Sequence, residues 1–112
     1  MFICFVLKEI KLNKEQFLRV LDESQPDQAM TEHQKVLWLI HHDQWNEAHE
    51  IVQENNDEIS CLFHGYLHDM EGDHWNASYW YRRAGHKEMP ERMPDKWQYL
   101  IDAVLESGRQ TS

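Results

Sequence analysis

The chain has 112 residues, 41% of them hydrophobic, and carries twenty Asp and Glu against eleven Lys and Arg for a formal net charge of −9. That is enough apolar material for one domain with a single core, and too much for a disordered chain. Four Gly and three Pro argue against a loop-rich or many-stranded β protein, and the acidic balance repels phosphate backbones, which argues against a nucleic-acid partner.

The opening "MFICFVL" is apolar for seven residues before the polar "KEIK". It is too short to span a membrane and lacks the basic start and small-residue cleavage site of a signal peptide. It reads as an apolar lead-in to the first helix. Asn13 then opens a capping box with Gln16, and Phe17, Leu18 and Leu21 fall on one helical face. Pro26 is expected to stop this helix. Thr31 repeats the device with Gln34, ahead of Val36, Leu37, Leu39 and Ile40, and this second helix should end near "HHD". Asp43 is expected to cap a third helix in which Trp45, Ala48 and Val52 share a face, closed by "ENND".

The fourth helix is the clearest. Ile59, Leu62, Phe63, Tyr66, Leu67 and Met70 recur at helical spacing, with Asp57 or Asn56 as cap and Gly72 as stop. Asp73 caps a fifth helix, where Ala77, Trp80, Tyr81 and Ala84 share a face and Gly85 ends it. After a polar link with Pro90, Pro94 suits the first turn of a last helix. That helix carries Trp97, Leu100, Ile101, Val104 and Leu105 and stops at Gly108. No βαβ rhythm and no Gly-rich phosphate loop is present.

Two stretches repeat. "DQWNEAHEIV" and "DHWNASYWYRRA" match at Trp45–Asn46 and Trp75–Asn76, whereas pairing Ala48 with Ala77 gives a period of 29 residues. Gly65, Ala77, Tyr81 and Ala84 follow a small, small, aromatic, small pattern, with Pro90 beyond. This pattern resembles the tetratricopeptide repeat or its Sel1-like relative over about residues 31 to 90. Where that family has Trp, Leu and Tyr early in the repeat, this chain has Cys61, His64 and His68. The string "EGD..NA.YWYRRAG" also resembles one shared by small bacterial proteins, which implies a helical-hairpin fold and supplies no reaction. By the tetratricopeptide resemblance, an inner peptide-holding face would include Leu37, His41, Leu62, Phe63, Tyr66, Asp69 and Met70. Tyr66 and Asp69 stand out there because they bring polar atoms to an apolar floor.

Chemistry is thinly marked. Cys4 and Cys61 lie far apart in apolar runs and read as reduced core residues, which points to the cytoplasm. The "NAS" at Asn76 reads as a chance match to a glycosylation acceptor. Eight His invite a metal hypothesis. His64 and His68 are one turn apart on one face, with His74 beyond the turn and Asp69 or Glu71 as oxygen donors. His41, His42, Asp43 and His49 form a second loose group. Spacing fixes no third ligand in either group, and Gly65 stands where a zincin would need its Glu. Ser60 and Cys61 precede His64 without an evident oxyanion hole. Twenty acids make accidental carboxylate pairs certain, so no pair is diagnostic. Arg82 and Arg83 are the strongest polar feature, suited to carboxylate or phosphate, with Tyr79 and His86 as neighbours. The competing reading is a solvated face paired with Glu71 or Asp73.

The expected fold is all-α, five or six helices stacked as antiparallel hairpins of tetratricopeptide type. Residues 1–12 form the lead-in, 13–107 a single domain and 108–112 a tail. The expected function is a small non-enzymatic module that binds a protein segment through Tyr66, Asp69, Tyr79, Arg82 and Arg83. No cofactor, catalytic residue, nucleic-acid partner or membrane partner is assigned. The alternative is a small ligand- or metal-binding protein or enzyme using the His64/His68/Asp69 and Arg82/Arg83 faces. A third reading is a homo-oligomer built on an aromatic patch.

Overall fold

The computed structural model describes residues 12–85 and 89–107. The apolar lead-in with Cys4, His86, and Gly108 with the tail lie outside the described residues. Among those described there are six helices and no strands: α1 Lys14–Val20, α2 Glu32–His41, α3 Trp45–Gln53, α4 Glu58–Met70, α5 His74–Arg83 and α6 Met93–Ser107.

Local chemistry sets most of the helix starts. Asn13 and Thr31 each close a full capping box, accepting from Gln16 N and Gln34 N while those glutamines reach back. Asp57 and Asp73 accept from Ser60 N and Asn76 N at the heads of α4 and α5. Each such cap gives partners to amides that the first turn leaves unpaired. Asp43 behaves differently from the expectation. It is not the cap of α3, whose N-cap is Gln44 without a side-chain bond. Asp43 instead sits at φ 60°, with Asp43 N bonded to Ile40 O at 3.0 Å and Gln44 N to Leu39 O at 2.8 Å. That is a Schellman ending for α2, with Asp in the left-handed place usually held by Gly. Gly72 ends α4 in the same way at φ 80°, as Asp73 N bonds His68 O at 2.9 Å.

Two further expectations are corrected. Helix α1 stops at Val20, ahead of Pro26, so the chain has already turned when the proline arrives. Leu18 and Met70, both assigned to inward stripes, are 44% and 38% exposed. Phe17 and Leu21 do face inward, one turn apart, and Leu18 lies about 100° round the helix from Phe17.

The core centres on α4, which packs on α2, α3, α5 and α6. Leu62, Phe63 and Leu67 are fully buried there, with Leu37, Ala48, Val52, Ala77 and Leu100 from its neighbours. Helix α2 is buried on all sides, from Val36 to Ile40. Its outer side is covered by the loop after α1: Trp38 Nε1 donates to Glu23 O at 3.0 Å, and His42 Nε2 bonds Leu21 O at 2.8 Å. The α4–α5 pair is the closest. A Cβ at Gly65 would fall 2.5 and 2.6 Å from the Tyr81 ring and 3.1 Å from Ala77 O. The small residue there is therefore a steric requirement, because the tyrosine ring lies directly over the α4 backbone. Among the described residues, no helix is long and apolar enough to cross a membrane.

Candidate functional site

Two polar clusters flank α4, and they are built on opposite principles. The first surrounds Asp69, whose side chain is 2% exposed. Tyr81 Oη and Lys96 Nζ donate to its Oδ2 at 2.6 and 2.7 Å, and His74 Nδ1 lies 2.6 Å from Oδ1. Burial alone would raise the pKa of this carboxyl. The hydrogen bonds from Lys96, Tyr81 and His74 outweigh it, so the group is held below its ordinary value. Burial and the same carboxylate push the Tyr81 phenol up, which keeps it a donor. The cluster ties α5 and α6 to α4, and both carboxylate oxygens are occupied. Asp69, His74, Tyr81, Arg82 and Lys96 line a cleft of about 670 Å³.

The second cluster is formed by His49 of α3 with His64 and His68 of α4. The ligating atoms of the three rings lie within 4.8 Å of one another. Aromatic contacts hold the rings. His64 is stacked on Trp80 at 3.9 Å and on His68 at 5.1 Å, and His49 is stacked on Trp45 at 4.7 Å. Trp45 is itself anchored, its Nε1 donating to Leu67 O at 2.9 Å. His64 is buried, and burial first, then the neighbouring His49 and His68, lowers its pKa to about 4. Burial and His68 lower that of His49, against the pull of Glu71. This favours neutral imidazoles at His49 and His64, each with a free lone pair. Among the described residues, His68 Nδ1 is buried with no hydrogen-bond partner, 3.9 Å from Asp73 Oδ2.

The residues singled out from the sequence thus divide among several places. His64 and His68 do converge, but their companion is His49, and His74 turns to Asp69 instead. Asp69 belongs with His74, so the expected His64/His68/Asp69 face is split across the helix. Tyr66 is buried, with burial and Asp69 raising its pKa, and packs 5.8 Å from Trp97. It lines a shallow groove of about 330 Å³ with Ile40, His41, Met70, Met93 and Pro94, beside which α6 is laid. Tyr79 and Arg83 are exposed on α5, where Arg83 Nη1 donates to Tyr79 Oη at 3.2 Å and Arg83 Cζ lies 5.3 Å from the centroid of the Trp80 ring. The second loose histidine group disperses: His41 pairs with Asp22 at 2.7 Å and His42 stacks on Trp38 at 4.1 Å. Cys61 is buried and free, its thiol pushed up by burial.

Two residues of interest were misplaced or missed in the sequence. His49 stood in the wrong group because contact between α3 and α4 is not a matter of spacing within one helix. Trp75, read only as a repeat match, is 80% exposed. Its signal was available, since Trp75, Tyr79 and Arg82 or Arg83 recur at the helical period. No family model, curated protein or solved structure matches the chain.

Proposed function

We propose that the protein is a small non-enzymatic interaction module of tetratricopeptide-like helical hairpins, and that it holds a protein segment on the outer face of α5. The observation that carries this reading is Trp75, 80% exposed on an acidic protein, with Tyr79 at 43% one turn further along. Arg82 and Arg83 complete the line. Trp, Tyr and Arg are the residue types that dominate binding energy at protein interfaces. A large indole left in water gains by burial against a partner. The two guanidiniums at this face favour an acidic segment. The hairpin reading is supported by the Gly65–Tyr81–Ala77 contact, which gives a steric reason for the small-residue code. The inner residues Tyr66 and Asp69 contribute less than the sequence suggested, since both are buried.

The test is capture of partners by the tagged chain and by a Trp75→Ala/Arg83→Ala variant of unchanged helicity. Loss of partners by the variant supports the reading. Retention of every partner would overturn it. Light scattering over a range of concentrations reports whether the face closes on a second copy instead.

A further inference from the structure

We propose that His49, His64 and His68 form a three-imidazole site for a borderline divalent transition-metal ion, with zinc as the reference ion and solvent at the remaining position. This does not depend on the α5 outer face being an interface, because the three rings belong to α3 and α4.

Three independent features converge. The ligating atoms of the rings already lie within 4.8 Å of one another. A tetrahedral zinc with bonds near 2.0–2.1 Å needs nitrogen separations of about 3.3 Å. The difference is within the reach of side-chain rotation at His49 and His68, which are only half-buried, while His64 is fixed against Trp80. Next, His68 Nδ1 is a buried polar atom without a partner among the described residues. An orphaned nitrogen of this kind is costly, and in native proteins it asks for an explanation. Coordination of an ion through Nε2 would leave the Nδ1–H facing the Asp73 carboxylate, now 3.9 Å away. That is the carboxylate–imidazole–metal arrangement that orients and strengthens histidine ligands. Finally, the donor set is chemically uniform. It holds three imidazoles and neither thiolate nor carboxylate, which suits Zn²⁺, Co²⁺, Ni²⁺ or Cu²⁺ and disfavours Mg²⁺ and Ca²⁺. Trp45 and Trp80 flank it, stacked on His49 and His64.

The competing account is that the rings are packing material, stacked like any aromatic group. Titration of the full chain with ZnCl₂ in a calorimeter separates the two. One ion should bind per chain, and His49→Gln and His68→Gln should each weaken binding by about tenfold or more. His74→Gln, which removes the histidine that the sequence grouped with His64 and His68, should leave binding unchanged. CoCl₂ should give the intense visible absorption of a four-coordinate ion at the same stoichiometry, lost in His49→Gln. His49 is part-exposed and its variant is expected to fold, which circular dichroism checks. Absence of stoichiometric binding, or binding equal in wild type and His49→Gln, would overturn the proposal. So would loss of binding in His74→Gln alone.

Discussion

Residues 68 and 69 are neighbours in the chain, yet they face two clusters of opposite character. Asp69 is enclosed by three partners from α5 and α6, which engage both of its carboxylate oxygens. His68 is stacked among imidazoles and keeps a buried nitrogen with no partner among the described residues. A completed polar network reads as a structural device, because its groups are already used. An incomplete one, around a half-buried histidine, reads as a site. The lesson is to ask of each buried polar group what remains unused, rather than how reactive its residue type is.

The comparison can be broken at Asp69. Asp69→Ala should destabilise the fold by about 4 kcal/mol, since it leaves Lys96 and Tyr81 without their buried acceptor. Urea denaturation measures this, and a loss below about 1 kcal/mol would mean that the network is not structural. Gly65→Ala comes next. The new methyl meets the Tyr81 ring, which cannot swing away without losing its bond to Asp69. Overpacking of this kind costs about 2 kcal/mol after the helix-propensity gain of alanine, read as a lower thermal midpoint.

Asp57→Ala removes the cap of α4, the helix that carries both clusters, and should cost about 1 kcal/mol at neutral pH. Burial opposes ionisation of Asp57, but the Ser60 hydroxyl and amide more than offset it and lower its pKa. The unfolded chain therefore takes up this proton more readily. The contribution is complete above the unfolded value and fades as pH falls through the folded one. The gap between wild type and variant should accordingly close in acid below the usual carboxylate range, and a gap that widened there would contradict the assignment. The smallest expected effect sharpens the contrast with Asp69. His68→Gln should change stability by about 0.5 kcal/mol or less in metal-free buffer, since it removes no hydrogen bond of Nδ1 and leaves a part-exposed site.

Much of the fold was legible in the sequence. The capping boxes at Asn13 and Thr31, the stripe of α4 and the stop at Gly72 are local signals, and each produced its element. The misreadings have non-local causes. Asp43 looked like a cap because Asp usually is one, whereas here the turn needs a left-handed residue between α2 and α3. Helix α2 gave no clean single face because the loop after α1 buries its other side. At the candidate sites, the pairing of His64 with His68 followed from helical spacing. The third histidine did not, because His49 arrives from another helix and only packing brings it there. Asp69 looked like a partner-binding residue of an inner face for the same reason: its partners Tyr81 and Lys96 lie twelve and twenty-seven residues away.

The distinction between the two clusters is tested most directly by the thermal midpoint of three proteins, each with chelator and with excess Zn²⁺. The proteins are wild type, His49→Gln and Tyr81→Phe, the last of which keeps the ring and removes only the bond to Asp69. An ion that binds only the folded chain, at about a hundred times its dissociation constant, stabilises by about 2.7 kcal/mol. Wild type should therefore gain several degrees with zinc. Tyr81→Phe should start lower and gain the same increment, while His49→Gln should start near wild type and gain nothing. A zinc increment that survives in His49→Gln, or vanishes in Tyr81→Phe, would contradict the division between a closed structural network and an open site.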